Sequence, residues 1–299
     1  MDTFDIKKIL VPVDFSEDGA KAIKQAIKMA QLNNASITLL HVIENPSDSY
    51  GPDYLPQSLS DEFEARLHDH VGENMDSVKK QIIDQGITDV DCIIDTGKVY
   101  KAITKVADDI KADVIMMGTH GVSGLKEIFV GSNTFKVIAS TTCPVLSFQK
   151  EGKTGFSDIL LPFRDRPHSR EGVEYAIQIA KTFGATIHVL GISVDPDEEA
   201  FRKVQYEAEQ VRKVLEKRGV KYTIDVFKDG FVSNLILSFA ENKKADLIVI
   251  MADLDKMQLN QYILGSVAQQ IVNHSPIAVL SIHPKFNPSM VNQANPIMN

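Results

Sequence analysis

The chain has 299 residues, 43% of them apolar and 24% charged, with a net charge of −8. That is enough chain for two ordinary domains of globular composition, and the acidic balance argues against general binding to DNA or to acidic membrane surfaces. The acidity is lopsided: residues 1–150 carry 22 Asp+Glu against 15 Lys+Arg, a net of −7, and the remainder 18 against 17, a net of −1. Two cysteines, Cys92 and Cys143, are too few for a disulfide framework and stand in no metal-ligand spacing. The opening MDTFDIKKILVPVDFSE has no signal-peptide pattern, and no apolar run approaches the roughly 20 residues of a membrane span. A cytoplasmic protein is the expectation.

In chain order, Lys8–Val13 reads as a short apolar strand. From Ser16 to about Leu32, Ile23, Ile27 and Ala30 recur at the spacing of one buried helix face. Ser36–Ile43 is a strand. A long, charged and partly exposed helix is expected over Ser60–Gln85, with Met75 and Val78 in the core and a stop at Gly86. Val90–Ile94 is a strand. Lys98–Ile110 is a helix with Ile103, Val106 and Ile110 on one face. Val114–Met117 is a strand, Ser132–Ser140 a helix and Val145–Phe148 a last strand.

The pattern then repeats. KKILVPVDFS from Lys7 matches SDILLPFRDR from Ser157 at an offset of 150, as ASITLLHVI from Ala35 matches ATIHVLGIS from Ala185. The segment from Thr96 matches that from Asp229 at 133, with Gly97 over Gly230 and Asp113 over Asp246. Gly131-Ser132 falls over Gly265-Ser266 at 134. The drop in offset assigns extra residues to the first copy, within ENPSDSYGPDYLPQSLSD. Strands alternating with helices imply parallel sheets covered on both faces. Two domains are expected, 1–150 and 156–284, followed by a polar tail, 285–299, read as disordered.

Parallel sheets of this kind bind ligands beyond the carboxyl ends of their strands. Asp14 follows the first strand, Val42 ends the second, and MMGTHGVSGLKEIFVGS follows the fourth. Gly118 and Gly121 allow close backbone approach. Gly131-Ser132 opens a helix, whose free N–H groups and partial positive charge suit phosphate. Neither a P-loop nor the G-x-G-x-x-G dinucleotide turn is present.

VPVDFSE, LLHVI and G-x2-G-x9-G-S together resemble the ATP-binding members of the universal stress protein family, over both halves of the chain. The resemblance implies two tandem flavodoxin-like or Rossmann-like α/β domains, each a five-stranded parallel sheet of order 3-2-1-4-5 with helices on both faces. It implies that Asp14 contacts the adenosine and that Val42 lines the adenine pocket through its backbone. Gly118, His120, Gly121, Gly131, Ser132 and Asn133 would wrap the ribose and phosphates, and Pro12, Val13 and Met117 would complete the wall. The implied ligand is ATP, with ADP, AMP and an accompanying magnesium ion left open. The family also implies pairing of PVLSFQ with AVLSIH inside the chain, an internal pseudo-dimer, and leaves a homodimer of the whole chain open.

Copy two departs from the pattern. Arg164 replaces Asp14, and the first two glycines fall on Met251 or Ala252 and on Leu254 or Asp255. Side chains and an acidic residue, Asp253 or Asp255, would oppose a triphosphate there, so one working site per chain is expected.

Plainer readings stand beside these. The glycines can be turn residues, Asp14 or Ser16 can cap the first helix, Ser132 can cap the helix it opens, and His41 and Cys143 can be core residues. Lys126 and Glu127 read as a solvated face. Three functions compete: a nucleotide-binding regulator, a slow ATP hydrolase or phosphotransferase, and a nucleotide-free stress protein acting by protein contacts. No Lys or Arg lies in the glycine stretch before Lys126, which weighs against strong phosphoryl transfer.

Overall fold

The computed structural model describes residues 5–44, 57–119, 131–148, 154–164, 171–228, 230–252, 254–256 and 262–283. In the first half β1 (Lys8–Pro12), α1 (Glu17–Asn33), β2 (Ser36–Ile43), α2 (Gln57–Ile83), β3 (Val90–Thr96), α3 (Val99–Ile110), β4 (Val114–Gly118), α4 (Ser132–Ser140) and β5 (Val145–Phe148) alternate as the sequence pattern requires. The second half continues with β6 (Asp158–Arg164), α5 (Glu171–Phe183), β7 (Thr186–Ser193), α6 (Glu198–Arg218), β8 (Lys221–Lys228), α7 (Val232–Lys243) and β9 (Leu247–Met251). It ends with β10 (Leu254–Lys256), β11 (Tyr262–Leu264), α8 (Ser266–His274) and β12 (Ala278–Ile282).

Two boundaries move for identifiable reasons. β3 runs on to Thr96 because Asp95 and Thr96 stay paired with Val42 and Ile43. α2 already begins at Gln57, inside the stretch assigned to the insertion, and at 27 residues it is longer than α6 at 21. Part of the extra length of copy one is therefore helix.

Each half contributes five parallel strands in the order 3-2-1-4-5, and the halves share one ten-stranded sheet, β3-β2-β1-β4-β5-β12-β9-β6-β7-β8. The junction is the one antiparallel pairing in that sheet: Val145, Leu146 and Ser147 face Ser281, Leu280 and Val279. Ser147 Oγ also donates to the Val279 carbonyl at 3.3 Å. Joining the last strands removes two open edges, which would otherwise offer unpaired backbone groups.

Strand residues alternate between two apolar layers. Ile9, Val11, Val114 and Met116 pack with α1, α2, α5 and α6 on one face. Leu10, Ile115 and Met117 pack with α3, α4, α7 and α8 on the other. Both layers cross the junction, so burial itself holds the halves together. The repeated aspartate has a structural task in each copy. Asp113 Oδ2 accepts the backbone N–H groups of Lys7 and Lys8 at 2.7 and 2.8 Å, and Asp246 accepts those of Ser157 and Asp158. Burial pushes the Asp246 carboxyl above its ordinary value, and these backbone donors oppose the shift. Cys143 is core, and burial pushes its thiol up to about 12.

Candidate functional site

Strand order reverses between β1 and β4, which carry helices on opposite faces. A cleft of about 550 Å³ opens there, beyond the carboxyl ends of β1, β2 and β4, within the range of small-molecule sites. Pro12, Val13 and Asp14 line it from the first strand, Val42 from the second, Met117 and Gly118 from the fourth, and Gly131, Ser132 and Asn133 from α4. Nine of the eleven residues singled out in the sequence thus meet around one space. His120, Gly121 and Gly124 lie outside the described residues, as do Lys126, Glu127, Asp253 and the tail from 285.

Asp14 does not cap α1. Ser16 does, accepting the Gly19 N–H on its Oγ at 3.0 Å. The Ser16 hydroxyl and backbone N–H both donate to Asp14 Oδ1, at 2.6 and 3.0 Å. The carboxylate is thereby fixed at the end of β1. Between them Phe15 adopts φ 58°, a left-handed conformation that costs a bulky residue roughly 1–2 kcal/mol. Its ring stacks on His41 at 4.9 Å, and His41 Nδ1 donates to the Val13 carbonyl at 2.7 Å. His41 is thus a half-buried, hydrogen-bonded residue that ties β2 to the end of β1.

α4 has Gly131 at its cap position, with no side chain capping it among the described residues. Ser132 is the first helical residue and therefore cannot be the cap. Ser132 and Asn133 of the first turn line the cleft, and a helix's first turn carries free N–H groups and a partial positive charge. Among the described lining residues, the charged side chains are Asp14 and Glu44. At the base of the glycine stretch, Gly131 N–H donates to the Thr119 carbonyl at 2.6 Å and Thr119 N–H to the Phe148 carbonyl at 3.0 Å.

The glycines have internal reasons that spacing did not reveal. A Cβ on Gly118 would lie 2.9 Å from the Asp18 carbonyl carbon, where the first turn of α1 crosses β4. One on Gly131 would lie 3.0 Å from the Thr119 oxygen. In copy two strand pairing puts Met251 opposite Ile282, as Gly118 is opposite Phe148, which settles Met251 as the counterpart of Gly118. There a Cβ on Gly172 of α5 would lie at ordinary contact distance, 3.5 Å, from Met251 Sδ. Gly118 thus has a packing reason of its own, and its loss in copy two is not by itself a sign of lost ligand contact. Gly131 and Gly265 have almost the same backbone, φ −56° with ψ 143° and 146°. Between β9 and α8, copy two places the short antiparallel hairpin of β10 and β11.

Sequence reading missed Leu67 of α2, Val99 and Ile103 of α3, and Thr119 and Thr134, all of which line the cleft. The α2 and α3 residues come from helices distant in sequence, so no local motif marks them.

Comparison with known proteins agrees with this architecture. The sequence pattern of the universal stress protein family matches residues 5–148 and again 155–283. Universal stress protein MJ0577 of Methanocaldococcus jannaschii is 33% identical over 156 residues, covering 48% of this chain and 96% of that protein. Universal stress protein YxiE of Bacillus subtilis is 30% identical over 143 residues, covering 46% of this chain and 96% of its own length. A universal stress protein from Archaeoglobus fulgidus superposes with a TM-score of 0.73 at 21% identity, over 94% of this chain and 97% of that one; it supports the fold alone. With a match in each half, the chain belongs to the universal stress protein family as a tandem of two family units.

Proposed function

We propose that this stress protein is an adenine-nucleotide-binding regulator with one working site, in the N-terminal half. The observation that carries the reading is the pairing of opposed groups across one cleft. A fixed carboxylate, Asp14, can accept hydrogen bonds from a ribose hydroxyl or an adenine amine. The uncapped start of α4 can donate to phosphate oxygens. Between them Val13, Leu40, Ile103 and Met117 offer apolar wall for a base. ATP is the ligand that the motif favours, with ADP or AMP as alternatives and magnesium as a companion of the polyphosphate. Binding rather than turnover suits the described wall, which brings a helix start but no Lys or Arg to developing phosphoryl charge. Regulation then requires that nucleotide bind two conformations with different affinity.

The test is whether protein purified from cells releases adenine nucleotide when denatured. Release of about one equivalent supports the reading. Nucleotide-free protein that also fails to take up ATP, ADP or AMP in equilibrium dialysis would overturn it in favour of a stress protein acting through protein contacts.

A further inference from the structure

The helix that faces the cleft is held from the other side by the second half of the chain. The α4 first turn lines the cleft through Ser132 and Asn133. Near its other end, the Ile138 carbonyl accepts a hydrogen bond from His283 Nε2, just past β12. The last carbonyls of a helix have no partner within it, and here the partner is supplied by the other domain. Along the same helix lies β11, part of the hairpin that replaces the glycine stretch in copy two. The strand that follows α4, β5, is paired with β12, and its Phe148 carbonyl holds Thr119 at the base of the cleft.

We infer that the second domain is a readout of the first domain's cleft, coupled to it through α4, β5 and the His283–Ile138 hydrogen bond. The inference rests on the nucleotide reading above and extends it to regulation. A ligand that orders the first turn of α4 loads one end of a short, nine-residue helix whose other end and flank belong to the second domain. Coupling is reciprocal: contacts at the far end must change nucleotide affinity by the factor with which nucleotide changes those contacts. Loss of the second domain's own carboxylate, with Arg164 in place of Asp14, fits a division of labour in which one copy binds and the other responds.

The test compares ATP binding by the full chain with that of His283→Ala and His283→Gln. Gln stands at the matching position of copy one, Gln149, and keeps a donor for the Ile138 carbonyl. Removing the donor should weaken ATP binding about fivefold or more, the lower range of measured coupling, and Gln should restore it. In the unaltered chain ATP should slow amide exchange at residues 262–264 and 279–282 by a similar factor. A merely structural histidine would lower the melting temperature on replacement and leave affinity alone. Unchanged ATP affinity in His283→Ala, with unchanged exchange in the second domain on ATP binding, would overturn the inference while the nucleotide reading stands. Failure of the unaltered chain to bind any adenine nucleotide would remove that reading and the inference together.

Discussion

At the scale of single residues, Asp14 carries the largest share of the ligand argument. Its Oδ1 is occupied by Ser16, so a ligand donor would meet a carboxylate already held in place. Asp14→Ala is expected to weaken ATP binding roughly 10- to 100-fold, the usual worth of a hydrogen bond to a charged group, and to lower the unfolding midpoint as well, because Asp14 also accepts two hydrogen bonds from Ser16. Isothermal calorimetry and urea unfolding on the same preparation would check both. Gly118 makes the converse case. Because its neighbour is the Asp18 backbone, Gly118→Ala has no flexible side chain to push aside. It should cost about 1–3 kcal/mol in urea unfolding, as overpacked positions do. Unaltered stability would mean that α1 does not press on β4.

His283 gives a pH signature. Burial lowers its pKa from the ordinary 6.5, and the Ile138 carbonyl opposes that shift. As pH falls through 6.5 the unfolded chain takes up this proton before the folded chain does, so folded stability declines. The contribution is complete above 6.5 and is lost on acidification toward the lower folded-state value. The melting temperature of the unaltered chain should therefore fall more steeply between about pH 7 and 5 than that of His283→Gln. Parallel curves would contradict the burial of this ring.

At the scale of elements, much was legible. The bounds of β2, α4 and β5 follow directly from apolar periodicity and the Gly-Ser start, and Ile27, Ala30, Ile103 and Val106 are buried as their spacing requires, with Ile23 and Ile110 half-buried beside them. What was not legible arises from tertiary contact. The forward extension of β3 depends on its partner β2, not on its own residues. The β10–β11 hairpin has no strong turn signal in MADLDKMQLNQYIL, and its pairing appears only in three dimensions. The reason for Gly118 is a helix crossing, which no spacing rule records. Part of the cleft wall, Leu67, Val99 and Ile103, likewise comes from α2 and α3. Motif reading finds groups that approach a ligand along the backbone, and it is blind to walls assembled from distant helices.

At the scale of the whole molecule, the repeat is resolved into one continuous sheet with pseudo-twofold halves, joined at β5 and β12. The two halves keep the same strand order, the same Gly-Ser helix start and the same aspartate clamp at the base of the sheet. They differ at the rim. Asp14, Val13 and His41 of the first half face the cleft, whereas the matching positions hold Arg164, Phe163 and Gly191, and a Cβ on Gly191 would lie 3.0 Å from the Phe163 ring. In the second half the Phe163 ring packs close against Gly191. The central claim is therefore one nucleotide per chain, bound through Asp14. Calorimetric titration of nucleotide-stripped full-length protein with ATP tests it most directly. One equivalent per chain, lost or strongly weakened in Asp14→Ala, is the expected result. Two equivalents, or one equivalent indifferent to Asp14→Ala, would contradict the account.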